Sequence, residues 1–306
     1  MDLIISILSR ALIAGTPLLL ATIGEIIAER SGVYNLGIEG LMSLGAVTAF
    51  AVTYTLSNPW IGLICAILVT AILSLIHAFV CVTLNGKQTL SGLALTMVGI
   101  GISGVLGRGF IGIPLPSRFS GINIPILTNI PILGKIFFNK DPLFYISLIL
   151  TFISYYLIFK TKVGINLRSV GESPKAADSA GINVKKYQYI AVIIGGSFSG
   201  IAGAYLSTAY IPQWIEGMTG GRGWIVIALT IFAYWDPIKA LWGAYLFGGI
   251  YVLQYLLQPL GIPPSLLLML PYLCTLLVLI LTASKSKIKH IGPPASLGEP
   301  FIKEEK

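Results

Sequence analysis

The chain has 306 residues, 55% of them hydrophobic and 10% charged, and its mean hydropathy is +0.86. A soluble domain carries about 25% charged residues, so the composition argues against a soluble enzyme and against a disordered chain. The formal net charge of +8, from 20 Lys and Arg against 12 Asp and Glu, looks like a nucleic-acid footprint until its distribution is followed.

No charged residue falls within 40–86, 88–107, 142–159, 187–215, 223–235 or 240–284. A helix crossing a ~30 Å hydrocarbon core needs about 20 mainly apolar residues. The first predicted span covers 3–24. The run 40–86 is too long for one helix, and the turn Ser57-Asn58-Pro59-Trp60 divides it into spans at 36–56 and 60–84. Spans at 91–113, 142–160 and 188–211 follow. The segment 223–235 is short and predicts a tilted or broken helix. Pro259, Gly261, Pro263 and Pro264 split the last run into 239–258 and 263–284. The apolar runs lack the alternation of a membrane barrel strand, and only helices and closed barrels satisfy the backbone in lipid. The expected fold is an all-α polytopic membrane protein with about eight to ten transmembrane helices, some broken or re-entrant. Residues 1–284 would form a single transmembrane domain, and 285–306 a short tail.

No removable signal peptide is expected: Met1-Asp2 is not a basic region, and Arg10 interrupts the first apolar segment. Cys65, Cys81 and Cys274 all fall within apolar spans and read as small core residues. Glycine is abundant in the spans, as at Gly196, Gly200 and, with Ala204, at four-residue spacing. Small residues at that spacing let helix backbones approach closely; they also permit breaks and rocking, and both readings stand.

Lys160, Lys162, Arg168, Lys175, Lys185 and Lys186 lie between the spans at 142–160 and 188–211, and Lys285, Lys287, Lys289, Lys303 and Lys306 lie in the tail. The positive-inside rule places both segments in the cytoplasm, and the four spans between them agree in parity. The loop 114–141 then falls outside, although Arg118, Lys135 and Lys140 weigh against this. The N-terminus is outside if every span is simple and inside if 25–45 is re-entrant. The charge is therefore an orientation label, and no nucleic-acid partner is expected.

Ionisable residues beside apolar spans are Glu25, Glu29, Arg30, Glu39, His77, Arg108, Glu216, Arg222, Asp236 and Lys239. Such residues are costly in a membrane and often functional. Glu39 either lines a polar site between helices or stays at the headgroup level. His77 is a hydrogen-bonded packing residue or, less in keeping with a lone histidine, a proton relay. A nucleotide-binding P-loop is missing: Gly86-Lys87-Gln88 lacks the leading Gly and the following Ser or Thr. There is no H-E-x-x-H, G-x-S-x-G or D-D-x-x-D, and the two histidines, His77 and His290, cannot build a His-rich metal centre. No enzymatic activity, metal or cofactor is expected. Energy must come from an ion gradient or from another subunit.

Between the spans at 142–160 and 188–211, Ser173 and Pro174 can start a short helix as N-cap and N1 residues. Ala176, Ala177 and Ala180 favour it and Gly181 stops it. It would either dock on a soluble partner or serve as a solvated connector.

The segment from Gly171-Glu172 through Pro174, Ala176 and Ala177 to Gly181 resembles the cytoplasmic signature of permease subunits in the ABC importer family for branched-chain amino acids, simple sugars and nucleosides. Gly24-Glu25 through Asn35, Gly37, Glu39 and Gly40 resembles that family's N-terminal motif. Met218 to Ile225 (with Arg222), Trp235-Asp236-Pro237 and Leu268 to Tyr272 resemble its sugar and nucleoside branch. The likeness runs from about residue 11 to 284, with Trp224-Ile225-Val226-Ile227 bulkier than the branch leads one to expect, which bears on pore shape. It implies a membrane-spanning subunit paired with a second permease, homologous or identical. Two cytoplasmic ATPase subunits would drive it, and an extracytoplasmic solute-binding lipoprotein would deliver a nucleoside or simple sugar. The loop 161–187, with Gly171, Glu172, Pro174, Ala176, Ala177 and Gly181, would couple to the ATPase; Asn35, Gly37, Glu39, Asn85 and Arg222 are candidates for the translocation path. The alternative from the residues alone is a stand-alone secondary transporter or channel driven by an ion gradient.

Overall fold

The structure, a computed structural model, describes residues 2–123, 133–263, 266–267, 269–283 and 292–302. Lys285, Lys287, Lys289, Lys303 and Lys306 lie outside the described residues, as does His290. The described chain is helical, with two isolated bridges, Ile111 to Trp214 and Pro114 to Gln213, in place of a sheet.

The helices are α1 (Asp2–Glu29), α2 (Ile38–Leu56), α3 (Pro59–Ala78), α4 (Gln88–Gly107), α5 (Leu133–Phe137), α6 (Pro142–Lys160), α7 (Lys162–Glu172), α8 (Pro174–Ser179), α9 (Val184–Tyr205), α10 (Arg222–Phe232), α11 (Pro237–Leu257) and α12 (Leu270–Ala283). Single π-turns extend α3 to Thr83 and α9 to Tyr210. Among the described residues, seven helices are long and apolar enough to cross a membrane; α10, with 11 residues, is not. The nine apolar segments read from the sequence correspond to these seven together with α10 and α12.

Three membrane helices start at an Asx-Pro pair. Asn58, Asp141 and Asp236 accept hydrogen bonds from the first backbone N–H groups of α3, α6 and α11, with Pro59, Pro142 and Pro237 next in line. The side chain satisfies a donor that the helix leaves unpaired, and proline has none to leave. At α8 the same pattern is half used: Pro174 occupies the first turn, but the Ser173 side chain makes no cap bond. Gly181, at φ +83°, stops the turn that follows, as its position suggests.

Helices α1, α2 and α9 form the centre: 61–72% of their apolar windows are buried, against 33% in α3, α4 and α6. Helix α9 lies against α1, α2 and α3. The spacing of small residues here serves close packing: a Cβ on Gly196 would strike Ser74, and one on Gly200 would strike the Thr70 side chain. Cys81 is buried, Cys65 and Cys274 are half-buried, and all three are free thiols. His77 is buried between helices, with Nδ1 at 2.8 Å from the Ser91 hydroxyl and Nε2 at 3.2 Å from the Tyr34 carbonyl, which is a packing role.

The loop face is the end carrying α7 and α8. Helix α1 runs toward it and ends where Arg30 and Gly32 meet Gly171. The chain then turns back through a buried stretch, 30–37, and α2 starts inside the bundle. Gly40 lies against Thr96, eight residues into α4, or roughly 12 Å above that helix's start. Helix α9 runs the other way, to the face where Trp214 closes on Gly107 at the end of α4. Residues 211–221 then re-enter the bundle, and α10 starts midway and returns to the loop face. The two halves are thus inverted copies of one device: a full-length helix, an irregular re-entrant stretch and a helix that starts at mid-depth. The segment 223–235, predicted to be a tilted or broken helix, holds the shorter of these two helices, α10.

Valine at position 200 should wedge α9 away from α3. Gly200→Val is expected to cost about 1–3 kcal/mol, the usual penalty for overpacking, read as a lower midpoint in thermal unfolding of the detergent-solubilised protein. An unchanged midpoint would show that the helices have room to part.

Candidate functional site

The N-terminal ends of α2 and α10 meet at Glu39. Residue Glu39 sits in the first turn of α2 and is 6% exposed. Its Oε1 accepts hydrogen bonds from the Thr219 hydroxyl at 2.6 Å and the Gly221 N–H at 2.8 Å; Oε2 accepts from the Gly223 N–H at 2.6 Å. These N–H groups are the ones that a helix start leaves unpaired, and a carboxylate there also faces the positive end of the helix dipole. Here one carboxylate serves two helix starts. The contact requires glycine, because a Cβ on Gly223 would collide with the backbone of Glu39.

Arg222 is also 6% exposed. Its Nη1 donates to the carbonyls of Met218 and Thr219 at 3.1 and 3.0 Å. The guanidinium lies 4.5 Å from the Tyr251 ring centroid and 5.7 Å from that of Tyr210, within the range of cation–π attraction. Its Nε and the Tyr251 hydroxyl are buried without a hydrogen-bond partner. Both side chains therefore hold unused hydrogen-bonding capacity inside the bundle. Tyr210 also lines a cavity of about 360 Å³, with Arg10, Ile13, Val252, Tyr255 and Leu256, in the half of the bundle away from the loop face. Sequence reasoning had not singled out Thr219, Tyr210 or Tyr251. The available signal was tyrosine within otherwise aliphatic spans, flanking a lone arginine.

The far end of α10 is held as well. Arg30 donates from Nε and Nη2 to the Trp235 carbonyl at 3.3 and 3.1 Å, and from Nη2 to that of Tyr234 at 3.4 Å. Burial and the neighbouring Arg168 draw its guanidinium down to about 10, so it stays a cation at neutral pH where the negative end of a helix dipole lies. Glu29 accepts a hydrogen bond from the Trp235 indole N–H.

Of the path candidates, Gly37, Glu39 and Arg222 gather at this junction. Asn35 braces the approach to it: its N–H donates to Glu25 Oε1 at 2.8 Å, and its own Oδ1 accepts from Gly37 N–H at 2.8 Å. Asn85 stands apart, in a left-handed turn (φ 52°) before α4 at the loop face. Among the loop candidates, Gly171 and Ala177 are buried, Pro174 is half-buried, and Glu172, Ala176 and Gly181 are exposed. A Cβ on Gly171 would collide with the Arg30 carbonyl, so α7 presses directly on the connection between α1 and α2.

The C-terminal segment joins this contact. The Ser296 N–H and hydroxyl both donate to the Gly171 carbonyl, at 3.0 and 2.6 Å, and the Gly298 N–H donates to the Gly32 carbonyl at 3.1 Å. Phe301 packs on the cluster of Val170, Ala177 and Val184, and Leu297 on that of Ile26, Ile158 and Trp235. No group of three or more His, Cys, Asp or Glu able to hold a metal occurs among the described residues.

Comparison with known proteins gives a consistent result. The family described as branched-chain amino acid transport system, permease component, matches residues 7–279. The putative glucose ABC transporter permease protein TsgC13 of Haloferax volcanii is 36% identical over 95% of this chain and 95% of its own. The guanosine ABC transporter permease protein NupQ of Bacillus subtilis is 37% identical over 97% and 96%. The nucleoside ABC transporter permease protein NupC of Lactococcus lactis is 33% identical over 98% and 97%. No solved structure matches.

Replacing Glu39 by Ala strands the Gly221 and Gly223 N–H groups at the start of α10, at about 1–3 kcal/mol for each unsatisfied donor. The expected result is a lowered unfolding midpoint, with Glu39→Gln, which keeps one acceptor, falling between the two. Equal stability of all three proteins would remove Glu39 as the fastening of α10.

Proposed function

Because this chain belongs to the permease-component family of the branched-chain amino acid transport system and is a transport subunit rather than an enzyme, we propose that it forms one half of the translocation path of an ATP-driven importer for nucleosides or simple sugars. The observation that carries this reading is the mid-depth meeting of the starts of α2 and α10 at Glu39, with Arg222 between two tyrosines beside it. Broken helices that aim backbone dipoles at a site near the midplane are a recurring way to build a solute path through lipid. Residues 1–284 act as one transmembrane domain, and 285–306 as its tail.

Tyrosine rings beside a cation suit a solute with a flat or ring-shaped body and several hydroxyls. Aromatic faces stack on nucleobases at about 1–3 kcal/mol per base, and the arginine donors suit hydroxyl and carbonyl oxygens. The names of the relatives, guanosine, nucleoside and glucose permeases, point to the same class. Asn85, at the loop face, would meet the solute at the exit.

The partners follow from the family: a second permease completing the pathway, two ATPase subunits and a solute-binding lipoprotein. The loop 161–187 lies in the cytoplasm under the positive-inside rule, and so does the C-terminus; the N-terminus lies outside, since α1 runs toward the loop face. Lys140 weighs less against this orientation than a free surface charge would, because it is buried and donates to the Ser9 carbonyl at 3.2 Å, and burial lowers its amine to about 8. The exposed Glu172 at the end of α7 and Ala176 on α8 dock on the ATPase. Movement of α8 is passed by Gly171 to the α1–α2 connection and, through Arg30 and Glu39, to α10. Closure of the ATPase pair thereby rocks α2 and α10 around the site.

Ala176→Arg places a bulky cation on an exposed turn without disturbing a buried contact. In proteoliposomes holding the complete transporter and its binding protein, nucleoside uptake is expected to fall at least tenfold, while the protein inserts and unfolds as the parent does. Uptake by the permease alone on a proton or sodium gradient would sink the ATP-driven reading. Arg222→Ala should instead lower uptake while leaving the ATPase assembled; unaltered transport by that variant would move the path elsewhere.

A further inference from the structure

Helices α6 and α9 both lean on α1 and both meet α7; they touch at the end away from the loop face, where the Tyr205 hydroxyl donates to Asp141, and stand apart near the loop face. The gap is a crevice of about 540 Å³ near the loop face. Leu157, Ile158, Val163, Ile190 and Ile194 form its walls, and Ile27 of α1 is among its lining residues. Its rim is polar, with Asn166, Asn183 and Lys186, and Asn166 Nδ2 donates to the Tyr187 hydroxyl at 2.8 Å across the closed end. Leu157, Val163 and Ile190 are 47, 59 and 48% exposed, so the crevice opens sideways, toward the hydrocarbon in which these helices stand.

We propose that this crevice is a binding site for one anionic phospholipid of the leaflet at the loop face, with an acyl chain between α6 and α9 and its phosphate at Lys186. Apolar walls of this depth exclude water at a gain of roughly 25 cal/mol per Å² covered, and the medium that reaches a sideways opening in a membrane is lipid. Charge selects which lipid. Lys160, Lys162 and Lys185 are exposed on the adjoining turns, next to Lys186, and no acidic side chain is among the described residues lining the crevice. Basic pockets between membrane helices recognise anionic headgroups in this way, each lysine near the surface contributing about 1 kcal/mol. Because α7 roofs the crevice, a bound chain would wedge the base of the loop between α6 and α9. This site is separate from the solute path and stands whether or not the transport reading does.

The test is native mass spectrometry of the complete transporter purified in detergent and titrated with phosphatidylglycerol or phosphatidylcholine of the same chains. The expected result is one phosphatidylglycerol retained in preference to phosphatidylcholine, with retention about fivefold weaker in Lys186→Ala, the equivalent of ~1 kcal/mol. Ile190→Trp, which fills the crevice, should abolish the bound lipid. Millimolar inorganic phosphate should not displace it; displacement would point to a free-anion site and overturn the lipid assignment. Equal retention of both lipids with no effect of Lys186→Ala would overturn it too, as would a cysteine cross-link from position 157 to the second permease, showing that a protein helix fills the gap.

Discussion

The architecture depends on how an 11-residue helix is kept in the middle of a membrane. Helix α10 is too short to span and too short to be stable alone, and lipid offers nothing to the unpaired backbone groups at its ends. Both ends are held from one short stretch of chain: Glu39 accepts from the N–H groups at the start, and Arg30 takes the Tyr234 and Trp235 carbonyls of the turn whose own N–H groups close the last carbonyls of the helix. The helix is about 16 Å long at 1.5 Å per residue, a distance that the intervening 30–37 stretch readily bridges. Each charge sits at the dipole end of opposite sign. The arrangement makes α10 and the α1–α2 connection a single mechanical body, although they are far apart in sequence.

That body touches most of the candidate residues. Glu39 holds the start of α10, where Arg222 lies against Tyr210 and Tyr251. Arg30 and Gly32 lie under Gly171, the last buried contact of α7. A displacement at the base of the loop therefore has a short route of packed backbone to Arg222. Glycine recurs along this route because backbones touch there without side chains between them, as at Gly171 on Arg30 and Gly223 on Glu39. Stiff contacts of this kind transmit a shift rather than absorb it.

Much of the fold was legible in the sequence, because charge and hydropathy report depth in a membrane directly. The absence of charge from 142–159 and the Asx-Pro pairs at 58–59, 141–142 and 236–237 mark helices and their starts without knowledge of any neighbour. The half-length of 223–235 likewise betrayed a broken helix. Partnership was less legible. Glu39 stood out as a carboxylate beside an apolar span, but nothing near it in sequence says that its acceptors serve Thr219, Gly221 and Gly223, some 180 residues away. Tyr210 and Tyr251 lie far apart in sequence, and only the fold brings Arg222 between them. Asn85 stands out in sequence as a polar residue between apolar runs, and the fold adds that it occupies a left-handed turn before α4, a backbone that asparagine tolerates.

The clamp of Ser296 and Gly298 on Gly171 and Gly32 has a consequence for biogenesis. The first connection of the chain is covered by residues far later in sequence, so the seam at the loop face stays open while the intervening helices are made. Those helices must enter the bilayer and pair with the buried 30–37 stretch still lacking its cover. The seam therefore closes late in assembly, as a latch over helices that have already packed.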